Sequence, residues 1–223
     1  MNAAVLDSLI MEPPGAATAS VIWLHGLGAD GHDFESLVPE LGVVERGVRF
    51  VLPHAPHRPV TVNGGYVMRA WYDIRRPDLA RDADETGIRT SVAAVGALIE
   101  AEVARGVAPD HIVLAGFSQG GAIVLHAGLT CTRRLGGILA LSTYLALPEA
   151  LASELQEANR TTSIFMGHGS EDAIAPFALA ERSRDRLVAL GCKVELHAYP
   201  MPHTLCLEEV ADIRQWLERR LFG

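Results

Sequence analysis

The chain lacks any apolar run approaching the ~20 residues of a membrane-spanning helix. Its hydrophobic fraction of 49% is therefore read as core. Cysteine is scarce: Cys131, Cys192 and Cys206 are odd in number, far apart and without a C-x-x-C pair. Such a set neither staples a secreted fold nor builds a zinc site, and it fits the reduced thiols of a cytoplasmic protein. Residues Met1 to Asp7 have no basic region and no long apolar region, so no signal peptide is expected. There is no basic run either, and the formal net charge is −8. Phosphate backbones and anionic membranes are thereby disfavoured as partners, so neither nucleic-acid binding nor stable membrane insertion is expected. No repeat, low-complexity tract or break in composition divides the 223 residues, and residues 1–223 are expected to form one domain.

What is present centres on one stretch. Ile112-Val113-Leu114-Ala115 is a wholly apolar run, the pattern of a strand buried on both faces. It leads into Gly116-Phe117-Ser118-Gln119-Gly120, a G-x-S-x-G pattern, and then into an almost uniformly apolar segment ending at Leu129, read as a buried helix. Strand, sharp turn and helix form the context in which this pattern is a nucleophile elbow. Gly116 and Gly120 are needed because a side chain at either place would collide across the turn, and Ser118 would be held strained with its hydroxyl outward.

The rest of the chain alternates strands with helices. Strands are expected at Leu6–Met11 (an edge or hairpin), Ser20–Leu24, Val48–Leu52, Gly137–Leu141, Ser163–Met166 and Lys193–Tyr199. Helices are expected at His32–Leu41, Glu85–Arg105, Pro148–Ala158, Pro176–Leu190 and Leu205–Phe222, with a long loop from Pro53 to Arg76. That order implies an α/β fold with a mainly parallel central sheet and helices on both faces. Active sites of such sheets lie beyond the C-terminal strand ends. Ser118, Asp172, His203 and the Leu27 turn all follow expected strands.

A serine hydroxyl needs a base to take its proton and a third group to orient that base. Of nine histidines, His203 stands out, just past a strand in the proline-stiffened Pro200-Met201-Pro202-His203. His197 falls on the solvent-facing side of its strand, and His126 reads as a core histidine. His54 and His57 hint at a metal, but no further ligands accompany them, so no metal site is expected. Elbow-built chains keep the order serine, acid, histidine. Asp172, in a loop after a strand, is the preferred acid, with its neighbour Glu171 as a rival. Two backbone amides should form the oxyanion hole, that of Gln119 after the nucleophile and that of Leu27 in the glycine turn His25-Gly26-Leu27-Gly28. Because these donors are main-chain, truncating either side chain would not test the oxyanion hole.

The segments Leu24–Gly31, Ala70-Trp71-Tyr72-Asp73-Ile74, Gly116–Gly121, Gly167–Asp172 and Tyr199–His203 resemble the carboxylesterase/acyl-protein thioesterase family of small α/β-hydrolases, along nearly the whole chain. The resemblance implies an α/β-hydrolase fold, Ser118 as nucleophile, Asp172 as acid, His203 as base, Leu27 and Gln119 as the oxyanion hole, and no cofactor. It implies carboxylic esters as small-molecule substrates and, for some members, acylated proteins or lysophospholipids. Pro202 departs from the family, which more often has a small residue before the histidine. Trp71 is expected beside the site, walling the substrate pocket, unless it is a buried loop anchor. Ile174 is expected to line the same pocket.

Only about 50 residues separate nucleophile and acid, too few for an inserted cap domain. The expected site is therefore open and best matched to short or medium acyl chains, with long-chain thioesters or lysophospholipids as the alternative. A non-catalytic binding protein on the same fold is disfavoured, since every triad member is present. A Cys206 nucleophile is disfavoured because its spacing from His203 fits a helix face. A homodimer is compatible with the sequence.

Overall fold

The computed structural model describes residues 6–79 and 82–223; the first five residues, part of the segment examined for a signal peptide, lie outside them. The strands are β1 (Ser8–Met11), β2 (Ala19–Leu24), β3 (Val48–Pro53), β4 (His57–Val60), β5 (Tyr66–Arg69), β6 (Ile112–Phe117), β7 (Gly137–Leu141), β8 (Ser163–Gly169) and β9 (Lys193–Tyr199). The α-helices are α1 (Glu85–Ala104), α2 (Gln119–Thr130), α3 (Pro148–Glu154), α4 (Phe177–Ala189) and α5 (Leu207–Phe222).

Seven strands form one sheet in the order β1-β3-β2-β6-β7-β8-β9, parallel except for β1, which runs antiparallel to β3. The apolar runs of β2, β3 and β7 are buried throughout, as strands covered on both faces must be. Alternate residues feed two cores. Ile22, Leu24 and Leu114 pack with Ile88 and Leu98 of α1 and Leu187 of α4. Val21, Trp23 and Ala115 pack with Phe34, Leu41 and Trp216 of α5. Chain direction across the sheet reverses between β2 and β6: β3 lies on one side of this pair and β7 to β9 on the other. A crevice opens at such a switch point, and here it brings the turn after β2 against the elbow after β6. Among the described residues no helix is long and apolar enough to cross a membrane.

Two expected elements are corrected. The helix expected over His32–Leu41 is instead a chain of 3-10 turns, Gly31–Phe34, Pro39–Leu41 and Val44–Arg46. Pro39 withholds a donor, and Gly42 takes a left-handed φ of 65°, so no continuous helix forms. The loop expected over Pro53–Arg76 contains the hairpin β4–β5, turned by Gly64 and Gly65. Its four-residue strands are too short for alternation to show. Smaller shifts move the start of α5 from Leu205 to Leu207 and the end of α3 from Ala158 to Glu154.

Glu209 in the first turn of α5 is fully buried, and its carboxylate has no hydrogen-bond partner among the described residues. A Cβ on Gly167 would press on its Oε1, so a larger residue there would displace the carboxylate. Burial, with the Asp212 charge added, pushes its pKa up to about 8. The carboxyl is therefore neutral in the fold at pH values where the unfolded chain has ionised it. Stability contributed below the ordinary carboxylate range is lost as pH rises from there through about 8. Glu209→Gln should be near neutral for stability at pH 5 and stabilise by on the order of 2 kcal/mol at pH 8. Urea unfolding at the two pH values checks this, and equal effects at both would refute it.

Candidate active site

The elbow is built by close approach. Ser118 has φ 54° and ψ −118°, a conformation rarely taken by a residue with a side chain. A Cβ on Gly116 would lie 2.5 Å from Gly120 backbone, and one on Gly120 would lie 2.5 Å from the Leu24 carbonyl oxygen. Ser118 is tied down on both sides: its amide donates to the Leu141 oxygen at 2.8 Å, and its oxygen accepts from Thr143 Oγ1 at 2.6 Å. The hydroxyl is left to face the crevice.

His203 Nε2 lies 2.9 Å from Ser118 Oγ, and His203 Nδ1 lies 2.6 Å from Asp172 Oδ2. The other carboxylate oxygen, Oδ1, accepts from the amides of Ile174 at 2.9 Å and Ala175 at 2.8 Å. The Asp172 side chain is wholly buried and that of His203 is partly buried, while Glu171 is exposed. Of the two rival acids, only Asp172 is placed on the imidazole. The loop around His203 folds directly over Gly169, where a Cβ would meet the Met201 oxygen at 2.2 Å, and Pro202 leaves the histidine in contact with its partners. His168 braces the acid loop by donating from Nε2 to the Ala175 oxygen at 2.7 Å; burial lowers its pKa, so it stays neutral.

The glycine turn lies against the serine: a Cβ on Gly26 would be 3.5 Å from that of Ser118. Leu27 follows, and Gly28, with φ 79°, anchors the turn by donating its amide to the Arg69 oxygen at 2.9 Å. Gln119 opens α2, where first-turn amides have no partner within the helix.

A buried network missed in the sequence holds the turn. His25 Nε2 accepts from the Ala55 amide at 3.0 Å, so the proton sits on Nδ1, which donates to the Gly26 oxygen at 2.7 Å. Burial depresses the His25 pKa to about 4, keeping it neutral in that role. Trp71 Nε1 donates to the His25 oxygen at 2.8 Å, and its ring is fully buried. Trp71 is thus the loop anchor and does not wall the pocket; its indole faces inward because the N–H is needed there. The Gln119 side chain accepts from the Trp71 amide and donates to the Tyr72 oxygen, each at 2.8 Å. The Gln119 side chain therefore has a structural part of its own, apart from any role of its main-chain amide. Gln119→Ala should cost roughly 2 to 4 kcal/mol of stability by stranding two buried backbone groups. Denaturant unfolding measures that loss, and an unchanged midpoint would contradict it. The only sequence signal for this network was polar residues beside buried strands and turns.

A cleft of about 340 Å³ starts at Ser118 and His203 and is lined by Leu27, Ile74, Leu79 and Ile174, with Tyr72 and Tyr144 in its wall. The two tyrosines share a hydrogen bond at 2.9 Å. Ile174 is 64% exposed, at the cleft's margin. The remaining histidines have other company. His126 Nε2 meets Glu154 at 2.9 Å, and His197, half exposed, stacks on Phe165 at 4.7 Å. His54 accepts from the Gly31 amide at 3.0 Å, and its ligand atoms come within 4.8 Å of those of Asp30 and His32, a neighbourhood the sequence did not reveal. His57 stays exposed on the hairpin.

The model of the phospholipase/carboxylesterase family matches residues 6–221. The chain belongs to that family. Acyl-protein thioesterase 1 of Neurospora crassa is 44% identical, across 97% of this chain and 95% of that protein. Among solved structures, Arabidopsis thaliana SOBER1 superposes with a TM-score of 0.87 at 32% identity, covering 91% of this chain and 99% of that one. The structure of esterase PE8 gives 0.84 at 28% identity, covering 98% and 100%. Membership of this family makes the chain a carboxylic ester hydrolase of the serine type with the α/β-hydrolase fold.

Proposed function

We propose that the protein is an acyl-protein thioesterase, with Ser118, His203 and Asp172 as its triad and the amides of Leu27 and Gln119 as its oxyanion hole. The observation that carries this reading is the apolar cleft beginning at Ser118, which suits an acyl chain of medium or greater length. The thioesterase relative, 44% identical over nearly its whole length, moves the reading away from short esters. Leu27, Ile74, Leu79 and Ile174 would contact the chain.

In this mechanism His203 Nε2 takes the Ser118 proton as Oγ attacks the thioester carbon. The carbonyl electron pair moves onto oxygen, where the two amides hold it. Collapse breaks the C–S bond, the pair leaves on sulfur, and His203 returns its proton to that sulfur. The same cycle with water releases the fatty acid from Ser118. Nucleophile, base, acid and oxyanion donors complete this chemistry without a cofactor. Three free thiols, with burial raising Cys131 and Cys192, suit a reducing cytoplasm.

A second reading, a short-chain carboxylesterase, is favoured by the likeness to esterase PE8. Hydrolysis of acyl thioesters from acetyl to palmitoyl, carried by one small thiol, separates the two. The thioesterase reading expects kcat/KM to rise by roughly tenfold or more from acetyl to octanoyl, since each buried methylene contributes ~0.8 kcal/mol. A maximum at acetyl or butyryl would return the protein to the short-chain reading.

A further inference from the structure

A second cleft, about 860 Å³ and larger than the first, also reaches His203. Its apolar lining comes from Phe34, Leu37, Leu205, Leu207 and Val210, and it shares Asp33, Phe117 and His203 with the first cleft. The glycine turn and Gln119 line only the first cleft. The Phe117 ring lies 4.9 Å from the His203 ring, so it forms a ridge between the two depressions. Leu207, at the start of α5, is 90% exposed, an unusual place for so large an apolar side chain, and nothing in the fold requires it there.

A substrate bound at Ser118 has two limbs that diverge from the carbonyl carbon. The leaving group must depart toward the general acid, because it receives its proton from His203 Nε2. The limb beside the oxyanion donors is then the acyl chain, in the first cleft. The limb beyond His203 lies in the second.

We infer that the second cleft, from Phe34 to Val210, is the leaving-group site and takes a polypeptide segment in which an aliphatic or aromatic side chain neighbours the acylated cysteine. The assignment rests on the thioesterase reading for its choice of substrate. Charge selects the occupant. Besides His203 and the Cys206 thiol, the ionisable side chain on the cleft is Asp33, and no arginine or lysine lines it. Burial raises the Asp33 pKa, with the charge of nearby Asp30 adding to the rise. An apolar trough edged by a carboxylate suits a neutral or basic peptide. It gives the phosphate of a glycerophospholipid leaving group neither a cation nor a hydrogen-bonding cradle, and Asp33 would repel it. Leu207 is the side chain placed to grip the peptide, and its exposure means that replacing it removes no core contact.

The test uses the whole enzyme and one acyl group of the length it prefers, carried by three leaving groups: a small uncharged thiol, the cysteine of a leucine-flanked hexapeptide, and glycerophosphocholine. Wild type should favour the peptide over the small thiol by roughly tenfold in kcat/KM, mostly through KM, the effect of burying one leucine. In Leu207→Asp that ratio should fall close to one, and acyl-length preference should be kept. Val188→Asp, an exposed apolar position on α4, serves as the control and should keep the wild-type ratio. A ratio near one in wild type, an unchanged ratio in Leu207→Asp, or a preference for glycerophosphocholine would each overturn the assignment. Preference for a short acyl chain would instead count against the thioesterase reading. The leaving-group comparison, made with that short chain, would still decide what the second cleft accepts.

Discussion

Ser118→Ala should lower kcat by about five to six orders of magnitude and leave the fold unchanged. The size follows from the proposed mechanism, in which Ser118 Oγ forms the acyl bond, and no other hydroxyl or thiol is shown against His203 Nε2. Preservation of the fold follows from what holds the elbow. The amide of residue 118 keeps its bond to Leu141, and its oxygen keeps its bond to Thr143, whichever side chain it carries. Alanine accepts the φ of 54° at about the cost serine does, since the strain is set by Cβ. Turnover of an octanoyl thioester and a denaturant curve, measured on the same preparation, check both halves. Residual activity above a hundredth of wild type would mean that another nucleophile acts.

Asp172→Asn should lower kcat by about four orders of magnitude, and the hydrogen bonds explain why the loss is not smaller. Oδ1 is pinned by the amides of Ile174 and Ala175, which demand an acceptor. The amide nitrogen of an asparagine must then occupy the Oδ2 position, 2.6 Å from His203 Nδ1. As a donor it forces Nδ1 to accept, and the ring proton moves to Nε2, facing Ser118 Oγ. His203 would then hold a proton where the proposed mechanism needs it to receive one. Glu171→Gln, at an exposed position with no such contact, should leave turnover nearly unchanged. A larger loss in Glu171→Gln than in Asp172→Asn would reverse the assignment of the acid.

Much of this architecture was legible in the chain itself. Apolar runs such as Ile112–Ala115 can only be strands covered on both faces, and alternation with helices then leaves few arrangements beyond a parallel sheet. The G-x-S-x-G turn was equally readable, because its glycines answer to contacts within a few residues and with the adjacent strand. The 3-10 turns after Gly31 were misread for the converse reason. Phe34, Val38 and Leu41 do bury one face, but Pro39 and Gly42 break the hydrogen-bond ladder that helical periodicity alone suggests.

Trp71 shows where sequence reading ends. A large aromatic near a glycine turn can face the substrate or the core, and local pattern is the same in both cases. Its indole N–H decides the matter by finding the His25 carbonyl, 46 residues away. Gln119 is similar, since its side chain bonds to backbone 47 and 48 residues distant. By itself the sequence determined the main strands, most of the helices and the elbow, because these depend on near neighbours and on strand burial. Only the tertiary structure decided which carboxylate meets His203, that Trp71 is an anchor, and that two apolar clefts meet at His203. Those outcomes depend on the segments that follow β2, β5, β6, β8 and β9 converging at one end of the sheet, at distances that no local spacing encodes.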